Sequence, residues 1–330
     1  VAELAALTDL AHKQNSTVYV TLNTLIKPNE LADCRHMIHA ITRDALADGI
    51  IFQDPAVIEL AGQAGFKGVL HLSTLGNVSF PTALKSLQPV KRVTRVVAPR
   101  ELTVDEIKTM ALHCPDHLSL EVFIHGALCY AVSGRCYWSS FLGGKSGLRG
   151  SCVQPCRRIY RQKEAQNRFF SAADLSLDVL VKVIKPIKKV AAWKIEGRKK
   201  GAHYVYYTVS AYKMLRDEGH DPKIRKDAQA LLDQALGRPG TRYNFLSHRR
   251  YNPLDSDRQT GSGLRVGTIA TGGKAPYFKP RLPLFPNDRI RVGYEDQKGH
   301  ITLKVKRGVP KGGTFKVPSR KKPDTKSSSL

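Results

Sequence analysis

The sequence predicts an α/β protein: a (β/α) barrel-like domain followed by a small C-terminal β-barrel domain. Three observations predict it. Short β-rich runs alternate with amphipathic helical patterns at least six times in the first two hundred residues, which implies a parallel sheet covered by helices. No G-x-G-x-x-G follows a strand-like run and no Walker-type G-x-x-x-x-G-K-[ST] is present, so a two-sided nucleotide-binding sheet lacks its fingerprint. From Thr260 the apolar period shortens to two, with Gly, Pro and Asn between the runs.

The elements follow in chain order. Val1 to Lys13 predicts a helix, with Leu4, Leu7 and Ala11 at helical spacing. Thr17 to Leu22 predicts a buried strand, Glu30 to Ala47 a helix and Gly49 to Phe52 a strand. Pro55 to Ala64 is helical, with Pro55 at a tolerated first-turn position. Gly68 to Leu72 is a strand, and a helix starts near Phe80-Pro81. Arg92 to Val97 is a strand. Val104 to His113 is a helix, with Thr103 as N-cap and Glu106 at the capping-box position. His117 to Phe123 is a strand. After a Gly- and Cys-rich insertion (126–160) come a helix from about Leu175 to Ile187, a strand Val190 to Ile195 and a helix Ala202 to Arg216. The first domain is thus expected over 1–237 and a linker over 238–259. The small basic β-barrel is expected over 260–318, with strands at Leu264–Ile269, Asp288–Val292 and Ile301–Val305. A disordered basic tail is expected over 319–330.

Barrel chemistry sits at the carboxyl ends of strands. Those ends carry Asn23, Gln53-Asp54, His71 with Ser73-Thr74, Arg100-Glu101, Glu121 with His125, and Lys194 with Glu196 and Arg198. Any strand ends in polar loop residues; a series on successive strands is what a site would need.

Hydrophobic residues at 42% and charged residues at 25% exclude wholesale disorder. No apolar run approaches the roughly 18 to 20 residues of a membrane span, so no membrane partner is expected. The chain opens on Val1-Ala2-Glu3-Leu4 without a basic segment and an apolar run behind it, so a cytoplasmic protein is expected, with the chain starting inside a domain. Lys and Arg number 53 against 28 Asp and Glu, a net charge of +25. Residues 145–200 carry +11 and residues 238–330 carry +15, leaving the remainder at −1. A neutral scaffold with two basic regions is the footprint of a polyanion partner such as RNA.

Six cysteines are present: Cys34, Cys114, Cys129, Cys136, Cys152 and Cys156. The last four fall within 28 residues as C-x6-C-x15-C-x3-C. Structural disulfides are not expected without a secretion signal. Zinc is one reading, although its usual pattern is two paired C-x2-4-C clips and only Cys152/Cys156 looks like one. A cubane iron–sulfur cluster is the other, since each iron needs a soft anionic ligand and glycines let backbone amides approach the sulfurs. Cys34 and Cys114 sit in helical patterns and are expected as core thiols.

The run Glu121-Val-Phe-Ile-His-Gly-Ala-Leu-Cys129, then Ser133-Gly-Arg-Cys136, then Arg149-Gly-Ser-Cys152-Val-Gln-Pro-Cys156-Arg157, resembles the signature of the collagenase-like peptidase family U32. Lys194-Ile-Glu-Gly-Arg198 resembles its second hallmark, and Tyr19 to Asn23, Gln53-Asp54-Pro55 and His71 to Thr74 also fit. The resemblance covers about Val1 to Arg216. It implies two further strand–helix units ahead of Val1, so the barrel's first strands are missing here. It also implies a [4Fe-4S] cluster on Cys129, Cys136, Cys152 and Cys156. The activity it implies is oxygen-independent hydroxylation of a nucleotide in tRNA or rRNA, with a small hydroxyl donor such as prephenate. His71, Glu121, His125, Glu196 and Arg198 are then the candidate catalytic residues. His125 is either a proton carrier or a hydrogen-bond donor beside Cys129. The family's name keeps a peptidase as the alternative, yet neither H-E-x-x-H nor G-x-S-x-G is present. A third reading is a non-catalytic RNA-binding protein with a structural zinc.

Overall fold

The computed structural model describes residues 1–197, 200–235, 240–246, 252–256, 264–270, 276–293 and 301–318. Arg198 and the expected tail, 319–330, lie outside these residues. The chain divides into two compact units, Val1–Gln259 and Thr260–Leu330.

The first unit follows the strand–helix rhythm. Its elements open with α1 (Ala2–Lys13), β1 (Tyr19–Leu22), α2 (Leu31–Ala40), β2 (Gly49–Phe52), α3 (Ala56–Gln63), β3 (Val69–Leu72) and α4 (Pro81–Lys85). They continue with β4 (Val93–Val97), α5 (Val104–Leu112), β5 (Ser119–Ala127) and α6 (Trp138–Gly143). After these come β6 (Tyr160–Gln162), β7 (Ala165–Asn167), β8 (Asp174–Ser176), α7 (Val181–Ile184), β9 (Val190–Ile195), α8 (Ala202–Glu218), α9 (Pro222–Ala235) and β10 (Gly240–Thr241). Strands β1 to β5 pair in sequence order and in parallel, and β9 adds in parallel to the other side of β5. Sequential order combined with right-handed crossovers puts the helices on one face. Alternation along each strand then divides the side chains. Ile50, Phe52, Leu70, Leu72, Val96 and Leu120 are buried in the core that the helices cover. The neighbours of these residues, among them His71, Arg95 and Glu121, belong to the opposite face.

Among the described residues the sheet is open: β1 pairs only with β2, and β9 only with β5. Six parallel strands fall short of the eight of a closed (β/α) barrel. The barrel expectation is thus met only as a parallel α/β sheet with helices.

Three stretches differ from their sequence patterns. Residues 30–47 are not one helix. A tight turn at Pro28–Glu30 leads into α2, which widens into a π-turn at Ile41–Ala45 and stops on Leu46 in the left-handed region, φ 49°. The expected helix from Leu175 begins as strand β8, antiparallel to the carboxyl half of β5, and only Val181–Ile184 is α-helical. Pairing of Leu175 with Gly126 overrides local helical spacing there. The expected linker joins the first unit over its described residues: β10 pairs with β8, Ala173 N–H donates to Pro253 O (2.6 Å), and Phe245 is buried. No helix among the described residues is long and apolar enough to cross a membrane.

The second unit contains two antiparallel pairs, β11 (Tyr277–Phe278) with β14 (Phe315–Lys316) and β12 (Arg289–Val292) with β13 (Ile301–Lys304). Phe278, Leu284, Ile290, Val305 and Val317 form its core. The run expected as a strand at Leu264–Ile269 makes no ladder. Gly267 lies so close to the Phe278 ring that a Cβ would meet it at 2.6 Å, and glycine is a poor strand former. A closed barrel is not formed by the described residues.

Candidate functional site

The cysteine segment leaves the carboxyl end of β5 and is pinned over the ends of several strands. Beyond β4, the Glu101 carboxylate accepts from Ser133 N–H (2.8 Å) and Ser133 Oγ–H (2.9 Å). Thr74 Oγ–H, just past β3, donates to Ser133 Oγ (3.4 Å). Gly134 (φ 71°) packs against the Leu75 carbonyl so closely that any Cβ would overlap it. Near the end of β1, Arg149 donates to Leu25 O (2.7 Å) and pairs with Glu30. Arg157, buried to 5% exposure, donates to Ala172 O (2.8 Å) and Leu128 O (2.9 Å). The Ser133-Gly134 and Arg149-Gly150 pairs of the sequence pattern are thus anchors for the segment that carries the thiols.

Those anchors bring Cys129, Cys136, Cys152 and Cys156 within electrostatic reach of one another, and all four are unbridged. Cys129 lies at the surface, yet the protein packed around its thiol pushes it up; the charges of Cys136 and Cys152 add to that, and Arg100 and the Ala131 N–H oppose it. Burial likewise pushes up Cys156, with Cys129, Cys152 and Cys136 adding and Arg157 opposing. The Cys152 sulfur accepts Gln154 N–H (3.3 Å) and Ser139 Oγ–H (3.7 Å). Among the described residues no three His, Cys, Asp or Glu side chains are gathered tightly enough to share a single metal ion. Cys34 and Cys114 stand apart; burial pushes both thiols up, and Cys114 Sγ–H donates to Leu118 O (3.5 Å).

A second group lies on the sheet face opposite the helices. Tyr19 packs on His71, with ring centroids 4.8 Å apart. Glu121 is gripped by Arg95 (3.5 Å) and by Lys194. His71 is 1% exposed, its Nδ1 has no partner, and burial reinforced by Arg95 and Lys194 lowers its pKa to about 4, against the pull of Glu121. Arg100 joins this group to the thiols. Its guanidinium lies 3.6 Å from the Phe123 ring centroid and 3.2 Å from Glu196, and its charge acts on Cys129. The strand-end pattern includes Arg100 but does not single it out; its place just after β4, behind Pro99, is the available signal.

His125 joins neither group. It points to the helix layer, where Nδ1 is 3.2 Å from the Tyr212 hydroxyl and the ring packs near Tyr204 and Tyr212. A register shift in β5 between Phe123 and His125 breaks the alternation that would keep His125 beside Glu121. It is thus placed in the helix layer with Nδ1 beside Tyr212 and a buried Nε2 that has no partner. Burial, with Lys200 adding, lowers its pKa to about 3.

Two histidines held neutral have a consequence for acid stability. Their unfolded pKa is near 6.5, so the unfolded chain takes up more protons below that pH. The stability they contribute is whole above pH 6.5 and is lost as pH falls toward the folded values of about 4 and 3. At pH 5 each accounts for a loss of about 2 kcal/mol relative to pH 7.5. Urea unfolding of His125→Asn is expected to show a fall between those pH values smaller by that amount. An equal fall would mean that His125 is not held neutral.

Comparison with known proteins bears on this arrangement. A sequence profile of peptidase family U32 matches residues 1–254. The chain belongs to this family. Among its U32 relatives, a "tRNA hydroxylation protein P" of Helicobacter pylori is 28% identical over 282 residues, 81% of this chain and 66% of that protein. The "23S rRNA 5-hydroxycytidine C2501 synthase" of Escherichia coli is 34% identical over 65% of this chain and 33% of its own length. A "Collagenase" of Porphyromonas gingivalis is 33% identical over 64% of this chain and 54% of its own. The U32 chain thus spans about one third to two thirds of the length of these relatives.

Proposed function

We propose that this chain carries the catalytic part of an oxygen-independent RNA hydroxylase that acts in the cytoplasm and holds a [4Fe-4S] cluster on Cys129, Cys136, Cys152 and Cys156. What supports the reading is four unbridged cysteines on one segment pinned over the strand ends, with Cys129 and Cys156 within electrostatic reach of the other thiols and Arg100 acting on Cys129. The donor set fits such a cluster: four soft ligands, Arg100 and Arg157 beside the sulfurs, and a backbone N–H directed at Cys152. A single zinc, with sulfurs about 2.3 Å from one ion, is the competing occupant of the same thiols. When bound, the cluster supplies redox-active iron.

The rest falls to the chain's own residues. Arg100 and Arg157 favour the thiolate forms of Cys129 and Cys156. Arg95, Lys194 and Arg100 outnumber Glu121 and Glu196 on the polar face, which suits an anionic hydroxyl donor such as prephenate. His71 Nδ1, buried and unpaired, is available to exchange one hydrogen bond or proton with that donor. The relatives named for hydroxylation of tRNA and 23S rRNA support an RNA substrate, as does the net charge of +25.

The relative named collagenase favours a second reading, a peptidase. A cysteine peptidase needs a base beside its nucleophile. His125, the histidine nearest the cysteine segment in sequence, bonds Tyr212 instead. Anaerobic purification separates the readings. About four irons per chain, together with RNA nucleosides one oxygen heavier in cells that make the protein, are expected. A colourless protein with one zinc, or gelatin cleavage that survives loss of all four cysteines, would overturn the proposal.

A further inference from the structure

The cysteine segment exposes rings that the fold does not use. Trp138 stacks on Tyr160 (5.7 Å, 25°), and both meet Phe170 edge-on, at 5.1 and 5.6 Å. These rings brace one another. Phe141 on α6 and Tyr137 at its N-cap, four residues apart, do not join them and are 87% and 64% exposed. Burial would stabilise such side chains, so a folded chain that leaves two of them in water at one place marks a contact surface.

Charge selects the partner. Residues 129–168 hold eight basic residues and one acidic residue. Arg158, Arg161 and Lys163 are exposed in and beside the β6–β7 hairpin, which the Trp138–Tyr160 stack holds against α6. Exposed rings bordered by cations fit a polyanion whose flat apolar groups are accessible. Unpaired nucleotides have that chemistry; a duplex hides its bases. Tyr137 directly follows Cys136, and Ser139 of the same helix donates to the Cys152 sulfur, so bases held here lie beside the thiols.

We infer that Phe141 and Tyr137 form a stacking platform for unpaired bases of an RNA loop, with Arg158, Arg161 and Lys163 holding the adjoining phosphates. This rests on the RNA-hydroxylase reading and assigns that site its substrate class, single-stranded rather than duplex RNA.

The test measures binding of the full chain to a fluorescent single-stranded RNA of about twelve nucleotides, to its duplex, and to phosphatidylserine vesicles. The wild type is expected to prefer the single strand. The Tyr137→Ala/Phe141→Ala double variant is expected to bind it at least tenfold more weakly with an unchanged salt dependence, since stacking is worth about five- to 150-fold per base. The Arg158→Ala/Arg161→Ala/Lys163→Ala variant is expected to flatten the plot of log K against log salt by about 2. Both variants alter exposed residues, and unchanged thermal melting would confirm that they fold. Single-strand binding unaltered in the double variant would overturn the platform while leaving the RNA reading standing. A wild type that binds neither RNA would overturn that reading as well. Vesicle binding that depends on Phe141, without RNA binding, would replace it with a membrane surface.

Discussion

Serine in place of Cys152 will leave the chain folded and nearly free of iron. Cys152 is exposed, and its sulfur accepts hydrogen bonds from Gln154 N–H and Ser139 Oγ–H that a serine oxygen can also accept, so little packing is lost. The chemistry of the position changes sharply. Serine is a hard ligand that holds its proton, and the remaining three thiols include two, Cys129 and Cys156, that burial keeps protonated until a metal displaces the proton. After anaerobic reconstitution with ferrous iron and sulfide, iron is expected to drop from about four per chain to below one. RNA hydroxylation is expected to fall about a hundredfold or more. The Cys34→Ser and Cys114→Ser variants are expected to load iron like the wild type, because those thiols stand apart from the four of the cysteine segment. Full iron in Cys152→Ser and again in Cys136→Ser would show that the four sulfurs do not act together.

Alanine in place of Gly126 is expected to be strongly destabilising. Gly126 sits near the end of β5 at φ 110°, a conformation side chains rarely adopt, and its Cβ would overlap the Glu196 carbonyl oxygen. Strain and overlap together cost about 3 kcal/mol or more. For a unit of this size that lowers Tm by roughly 6 to 12 °C. The overlap also pushes on Glu196, whose carboxylate holds Arg100, so iron loading falls with stability. Gly143, whose added Cβ would meet nothing within 4 Å, is the control. Scanning calorimetry of the full chain decides it; equal melting of Gly126→Ala and Gly143→Ala would remove the steric argument.

The fold was legible where local pattern and burial agree. Gly49–Phe52 is an apolar run and Val93–Val97 is rich in β-branched residues, and both are strands. Thr103 and Glu106 show the spacing of a capping box, and the box forms. Legibility failed where distant pairing decides. Leu175 fits a helix by spacing but is claimed by β5. Helix α9 was open to reading and not predicted: Asp221 precedes Pro222, and Ala228, Leu232 and Ala235 repeat on one face. At the site, cysteine spacing singled out the four thiols, and the anchors place Cys129 and Cys156 within electrostatic reach of the others. His125, grouped with Glu121 at one strand end by position, is turned to the helix layer by a local shift in register. The anchoring role of Arg157 could not be read at all, since its acceptors, Leu128 and Ala172, lie 29 and 15 residues away in the chain.

The anchors of the cysteine segment also set an order of events. Ser133 reaches 32 residues back to Glu101 and is reached by Thr74 across 59; Arg149 reaches 119 back to Glu30. Contacts of such span close late, because each must first overcome the entropy of a long loop. The thiols are therefore gathered only once the sheet beneath them is complete. On the cluster proposed above, cofactor capture would then finish assembly instead of nucleating it, the reverse of a zinc finger, and half-made chains would be poor scavengers of metal.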